Sequence, residues 1–239
     1  MPAQPHPIFE APVDPEVAIW RYMDITKFAS LVSTGSLYFC RADRLGDKFE
    51  GSVSYRTRQI ERERDKQSAD MLQLLRLQFR MHTYISCWHM NQHESAAMWS
   101  LYGKADGAVA VKSTYNRLSR CLPDNSHVGV VKYFDYDESA IRGDNSMAPF
   151  LRKMASFQHE QEVRAVIQEI PRAEGGGLDS SAESEPGLEI QVDLRQLIST
   201  IYVSPAIDGW KRSLIEEICG KYELGCPIVR SRLDEDPIF

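Results

Sequence analysis

The run Phe157-Gln158-His159-Glu160-Gln161-Glu162-Val163-Arg164-Ala165-Val166-Ile167 constrains this chain more than any other segment. Val163, Val166 and Ile167 have the β-branched character of a strand entering a core. Side chains along a strand alternate between faces, so Glu160, Glu162 and Arg164 share one face. Two carboxylates and a guanidinium on one face belong to solvent, to the floor of a polar site, or to a structural ion network.

At 239 residues the chain is long enough for one domain with a substantial core, and a single domain over residues 18–239 is the expected organisation. Hydrophobic residues at 43% and charged residues at 26% exclude a largely disordered chain. A net charge of -6 disfavours indiscriminate attraction to nucleic acid or anionic membrane, although an acidic protein can still carry a local basic patch. The opening residues 1–17 are proline-rich and read as a flexible arm. They lack the charged and apolar regions of a signal peptide, and no window reaches the ~18 apolar residues of a membrane span. A cytoplasmic protein is expected. Cys40, Cys87, Cys121, Cys219 and Cys226 are scattered in apolar contexts, which reads as buried free thiols rather than a disulfide framework or a metal site.

Along the chain, strands are expected at 18–23, 36–40, 83–88, 107–111, 128–133, 188–192, 200–204 and 227–230. Asp24 has the character of an N-cap for a helix to about Val32, which Gly35 stops. A single long helix is expected over Arg56 to Met81, its charged first half in solvent and its apolar second half (Met71, Leu72, Leu74, Leu75, Leu77, Phe79) docked. Further helices are expected over Glu94 to Leu101, near Ala148 to Ser156, and from Asp208 to Tyr222. Pro171 to Gly187, with Gly175-Gly176-Gly177 and Ser180-Ser181, reads as a mobile surface loop. No G-x-G-x-x-G and no P-loop is present. The pattern predicts an α+β fold with a mixed, largely antiparallel curved sheet flanked by helices.

Four clusters carry the residues of chemical interest. Arg21-Tyr22 ends a strand; such a pair is ordinarily edge-strand surface. Asp47 and Glu50 lie in a carboxylate-rich loop that Phe49 can anchor, against the plainer reading of solvated turn chemistry. Met98-Trp99-Ser100-Leu101-Tyr102 places Met98 and Tyr102 one helical turn apart, which is core packing or a stacking platform. The fourth is the Glu160, Glu162 and Arg164 segment. His89 and His93 are spaced to share a metal only if helical, and their context is strand-to-loop, so no metal site is expected. No serine or cysteine sits in a nucleophile-elbow pattern.

The order of these clusters resembles a bacterial family catalogued as domain of unknown function 2971, over roughly Trp20 to Val203. Arg21-Tyr22 stands where that family has a basic-aromatic strand, and Ser33 to Phe39 where it has helix, glycine and strand. Gly46-Asp47-Lys48-Phe49-Glu50 is similar to its asparagine-aspartate-proline-phenylalanine-glutamate loop, keeping both carboxylates and the phenylalanine. Ser86-Cys87-Trp88 and Met98-Trp99-Ser100-Leu101-Tyr102 match its serine strand and M-W-x-x-Y helix, and Gly107-Ala108-Val109-Ala110-Val111 its small-residue strand. Phe157 and Glu160-Gln161-Glu162-Val163-Arg164 match its late aromatic and E-x-E-x-R pattern.

This order of basic strand, helix, aromatic strand and E-x-E strand is also similar to the ADP-ribosyltransferase pattern. That similarity implies an enzyme that breaks the nicotinamide-ribose bond of NAD, with NAD as substrate and no required cofactor. Glu162 would then stabilise positive charge on the ribose and Glu160 orient an acceptor. Tyr22, Trp99 or Tyr102 would stack on the ring, while Arg21 holds phosphate or ribose. A different class of function uses the same cleft, through Arg21, Arg164 and the aromatic pair, to bind a nucleotide or nucleic-acid end without chemistry, an association with phage defence being implied by the resemblance alone. A scaffold with a buried ion network is the plainest alternative.

Overall fold

The computed structural model describes residues 2–102, 107–140, 145–179, 181–205, 207–235 and 237. Gly103 and Ser180, which belong to expected segments, lie outside the described residues. The strands are β1 (Ala18–Asp24), β2 (Ser36–Arg41), β3 (Thr83–Met90), β4 (Ala108–Thr114), β5 (Ser126–Val130), β6 (Lys132–Phe134), β7 (Arg152–Met154), β8 (Glu162–Gln168), β9 (Gly187–Gln191), β10 (Thr200–Val203) and β11 (Ile228–Arg230). The helices are α1 (Ile25–Thr34), α2 (Tyr55–Arg64), α3 (Lys66–Met81), α4 (Ala96–Tyr102), α5 (Tyr115–Cys121), α6 (Leu194–Leu197) and α7 (Gly209–Lys221). The fold is α+β, with an open, mostly antiparallel sheet in which β10 and β11 run parallel.

The sheet forks at β3. One edge of β3 pairs with β8 along its length, from Thr83 opposite Gln168 to His89 opposite Glu162. Its other edge is shared by two strands that do not pair with each other. The start of β3 takes β2, with Cys40 opposite Ile85, and its end takes β1, with Trp20 opposite His89. From β1 one arm continues to β4, β10 and β11, and from β2 the other continues to β9. The wedge between the arms opens beside Ser86 to Trp88.

The main core lies on one face of this sheet, where Phe28, Leu31 and Val32 of α1, Leu118 of α5, Leu197 of α6 and Ile215 of α7 meet the inward side chains of the strands. Local sequence explains α1 well. Asp24 accepts a hydrogen bond from the Lys27 backbone at 2.8 Å, and Gly35 ends the helix at φ 64°, a left-handed position that favours glycine. On the opposite face α4 covers β1, with Met98 and Trp99 against Trp20 and Tyr22.

Several expected elements differ. The single helix over 56–81 is two helices, because Asp65 takes an extended conformation (φ −159°) and caps α3 by accepting from Gln67 and Ser68 at 3.0 and 3.3 Å. The helices then fold back on each other, joined by Arg58–Asp70 at 3.0 Å and by the Arg76–Glu61 pair. The apolar half of α3 docks only in part: Phe79 packs against the cluster around Phe150 and Val166 and Leu75 is half-buried, but Met71 and Leu74 are each 60% exposed and Leu77 is 47%. The expected strand over 128–133 is split at Val131 into β5 and β6, which belong to different sheets. The expected helix near Ala148 to Ser156 is a 3₁₀ turn, the short strand β7, and a second 3₁₀ segment over 155–160. Helices α5 and α6 arise where no element was expected, capped by Thr114 and Asp193.

The proline-rich arm, expected to be flexible, is laid along β5. Gln4 donates to the Ser126 carbonyl at 3.1 Å, Val130 donates to that of Glu10 at 2.9 Å, and Phe9 is buried. This approach requires Gly129, since a Cβ there would stand 2.8 Å from Phe9 Cα. Within 171–187 a single bridge joins Arg172 to Leu178, and Arg41 Nη1 donates to the Ser184 carbonyl at 2.6 Å. Replacing Gly129 by alanine should therefore lower stability by about 1–3 kcal/mol, as overpacking does, and speed proteolysis within the first eleven residues. In a chain lacking those residues the same substitution should have little further effect; thermal melts of the four proteins check the coupling.

Candidate functional site

A cavity of about 730 Å³ occupies the fork, in the volume range of small-molecule sites. Its walls come from both arms: Trp20, Arg21 and Tyr22 of β1, Tyr38 and Cys40 of β2, and Cys87, Trp88 and His89 of β3. Tyr102 closes one side from α4, while Glu160 and Glu162 stand where β8 begins.

Glu162 and Arg164 do project to one face of β8, as alternation requires, and that face is buried rather than solvated. Arg164 is 1% exposed and Glu162 is 5% exposed. The opposite face of the same strand carries Val163, Ala165 and Ile167 into the main core. Glu160 reaches the site by another route. It ends the 3₁₀ segment 155–160, and Gln161, at φ 40° and ψ 56°, turns the chain before β8 starts. A non-glycine residue in this region costs about 1–2 kcal/mol. The His89 ring secures the turn: its Nδ1 lies 2.6 Å from the Glu160 carbonyl, which only accepts, so Nδ1 carries the proton. Burial lowers the His89 pKa and keeps the ring neutral.

Beneath the cavity runs a chain of charges. Arg164 grips Glu50 with two nitrogens, at 2.6 and 2.9 Å, and donates from Nε to Glu162 at 2.5 Å and from Nη1 to the Phe150 carbonyl at 2.7 Å. Lys153 of β7 donates to Glu162 at 2.7 Å, pairs also with Glu160, and sits 4.6 Å from the Phe157 ring centroid. The Tyr133 hydroxyl accepts from the Glu162 backbone at 2.8 Å. Two cations, Arg164 and Lys153, face Glu50 and Glu162, with burial raising the Glu50 carboxyl against the pull of Arg164. Glu160 is the third carboxyl, with no cation of its own.

That imbalance explains the protonation of the pair. Burial and a hydrogen bond with Glu162 raise the Glu160 carboxyl to about 7, although Lys153 draws it down. Burial also opposes ionisation of Glu162, but the Arg164 guanidinium, hydrogen bonds from Glu160 and Arg164, and Lys153 together hold its carboxyl well below the usual range. Near neutral pH the cavity therefore presents one ionised carboxylate beside one that exchanges a proton.

Arg21 has a different role from Arg164. It spans the fork, donating from Nη1 to Ser86 Oγ at 2.7 Å and from Nη2 to the Tyr38 carbonyl at 2.8 Å, with its guanidinium carbon 5.8 Å from the Trp88 ring centroid. No carboxylate pairs with it among the described residues. Burial lowers its pKa, yet a guanidinium remains charged, so the wall carries an uncompensated positive charge. The Trp88 indole N–H is buried without a hydrogen-bond partner among the described residues. Tyr22 accepts from the Ser95 backbone at 2.8 Å, and burial pushes both its phenol and that of Tyr102 up to about 12. Burial likewise raises the Cys40 and Cys87 thiols, leaving both neutral.

The sequence clusters thus divide. Arg21, Tyr22, Tyr102, Glu160 and Glu162 line one cavity. Glu50 and Arg164 lie under it as supports. Trp99 is 5% exposed and stands behind Tyr22, edge-on at 4.9 Å, its indole N–H donated to Glu94 at 2.9 Å, so it has no face for a ligand. Asp47 lies outside the lining, where Oδ1 accepts from the Phe49 backbone at 2.8 Å and shapes its own loop. Sequence reading missed Lys153, Trp20 and Tyr38 as site residues and considered His89 only as a metal ligand. Lys153 bore no signal beyond being one of two basic residues, Arg152-Lys153, in a short apolar stretch. Among the described residues no group of three His, Cys, Asp or Glu is placed to hold a metal ion, and no helix is long and apolar enough to cross a membrane. No family model, curated protein or solved structure matches the chain.

Arg164→Met should destabilise the protein by about 3–5 kcal/mol, because it strands Glu50 and Glu162 without their cation. Chemical denaturation measures the loss. Glu160→Gln isolates the raised carboxyl. A raised folded-state pKa adds stability that is complete below the unfolded value near 4.5 and is lost as pH climbs toward about 7. Wild type should then lose on the order of 1–2 kcal/mol relative to Glu160→Gln across that window, after allowance for solvent screening, and nothing further above pH 8. A difference independent of pH would refute the assignment.

Proposed function

We propose that the protein binds a nucleotide in the forked cleft and cleaves its N-glycosidic bond, with the nicotinamide-ribose bond of NAD as the leading substrate. The observation that carries this reading is the carboxyl pair at the inner end of the cleft. Cleavage of an N-glycosidic bond leaves positive charge on the ribose, which calls for a fixed carboxylate beside C1′ and a second group that moves a proton to or from the attacking acceptor. Glu162, held ionised by Arg164, fits the first requirement. Glu160, with its carboxyl near 7, fits the second, since an acid-base group works best when its pKa lies near the working pH. Tyr22 and the half-exposed Tyr102 offer aromatic surface for a base or nicotinamide ring, and Arg21 offers a cation that no carboxylate pairs with among the described residues. The similarity of the element order to the ADP-ribosyltransferase pattern is in line with this reading, while the resemblance to the domain of unknown function 2971 family carries no activity with it.

One observation favours the non-catalytic alternative. Both Glu162 oxygens already accept hydrogen bonds, from Lys153 and from Arg164, so a ribose competes for a carboxylate that is well satisfied. In that case the cleft holds a nucleotide or a nucleic-acid end through Arg21 and the aromatic walls, without turnover.

Nicotinamide release from NAD, followed by chromatography, separates the two. The catalytic reading expects release by wild type, loss of at least about a hundredfold in kcat for Glu160→Gln with ligand binding kept, and no release by Glu162→Gln that is folded by circular dichroism. Absence of release by folded wild type between pH 6 and 8 would sink the catalytic reading, and ADP-ribose binding under the same conditions would support the alternative.

A further inference from the structure

At the outer end of the cleft two cations remain that the carboxyl pair does not use. Arg41 and Asp43 pair with each other at 2.6 and 3.1 Å, whereas the neighbouring Arg44 makes no hydrogen bond or ion pair with any described residue, is exposed, and lines the cavity. Lys27 lines the same mouth from α1. Its side chain is 75% exposed, and its only carboxylate contact among the described residues is with Asp24 Oδ2 at 3.5 Å, while Asp24 Oδ1 accepts from the Lys27 backbone and from Thr26 as the N-cap of α1. Ser30, Thr34 and Tyr38 bring hydroxyls to this mouth. Glu189, opposite Tyr38 on β9, is the carboxylate that shares it. With Lys27 near Asp24 and Arg44 sharing the mouth with Glu189, the mouth is close to neutral overall but presents two exposed basic side chains, and Arg21 adds a positive charge deeper in the cleft.

The register of β3 sets the distance between the two ends. Cys40, whose thiol feels both Arg44 and Lys27, lies opposite Ile85, and Glu162 lies opposite His89. Four residues of strand separate them along β3, about 13 Å, and β2 and β8 flank opposite edges of β3, about 10 Å apart, so the two ends lie roughly 16 Å from each other. A ribose bearing 5′-phosphates, met by two long basic side chains, fits that span.

We infer that Arg44 and Lys27 form an anion subsite that takes the 5′-diphosphate of a nucleoside diphosphate conjugate, directing its glycosidic carbon inward to Glu160 and Glu162. This inference rests on the nucleotide reading above and sharpens it, because it assigns substrate orientation and selects phosphorylated ligands over neutral nucleosides. Ionic contacts at an exposed mouth are screened by salt, so the selection should weaken as ionic strength rises.

Calorimetric titration of the full chain with ADP-ribose and with adenosine tests the subsite whether or not turnover occurs. Wild type should bind ADP-ribose at least tenfold more tightly than adenosine at low salt, and the double variant Arg44→Ala, Lys27→Ala should bring the two within about twofold. Equal affinities in wild type, no ADP-ribose binding at all, or a preference that survives in the double variant would each overturn the inference. A second arm compares kcat/KM for NAD and nicotinamide riboside. Turnover of both without discrimination, alongside no binding preference, would remove the subsite and leave the reaction standing. No turnover of either, with a binding preference that depends on Arg44, would remove the reaction and leave the subsite standing.

Discussion

Arg164 is the interaction on which the rest of the site depends. A guanidinium 1% exposed in an interior strand is tolerable only when its donors are met, and Glu50, Glu162 and the Phe150 carbonyl meet them. Those partners come from three distant parts of the chain, so one side chain fixes the loop before α2, the 3₁₀ turn before β7 and the start of β8 against one another. Apolar replacement of such a network can match it in stability, which points to what the charges supply beyond stability. They hold a carboxylate ionised at the floor of a cavity.

The fork in the sheet supplies the cavity itself. Had β1 and β2 paired with each other, their side chains would have closed over β3 as they do elsewhere in the sheet. Each instead claims one end of β3, and Arg21 bridges the gap with two hydrogen bonds, its charge paired with no carboxylate among the described residues. The strut keeps the arms at a set distance and leaves a positive charge facing the opening. Structural and ligand-binding demands on Arg21 are therefore compatible, since its two bonded nitrogens do not exhaust the five donors of a guanidinium.

Much of this architecture was legible where one local rule dominated. The cap at Asp24, the stop at Gly35 and the alternation of Glu162 and Arg164 with Val163 and Ala165 follow from short-range chemistry, and the structure agrees with each. Errors arose where composition had two outcomes. Asp65 reads as one more charged residue in a charged helix, yet its side chain can cap the next helix, and that bond breaks the run in two. The apolar stripe on α3 reads as core, but nothing in its own sequence says whether a partner surface faces it. Convergence was less legible still. Trp99 and Tyr102 lie on one short helix and have opposite fates, one sealed behind Tyr22 and one lining the cavity, because helical spacing gives the angle between them and only the packing of α4 on β1 gives its origin.

The same distinction governs Glu160 and Glu162. Strand alternation placed both on one face, and both do reach the cavity, but Glu160 arrives from a 3₁₀ turn through the left-handed Gln161. The difference matters chemically. A strand would have held both carboxylates in the same row and pressed them equally against Arg164. The turn instead leaves Glu160 with a share of Lys153 alone, while Glu162 takes Lys153 and Arg164 together. Unequal access to two cations divides the affinities of the pair for protons. A backbone departure of one residue thus turns two chemically identical side chains into a fixed charge and a titrating group, a division of labour that acid-base chemistry at neutral pH requires.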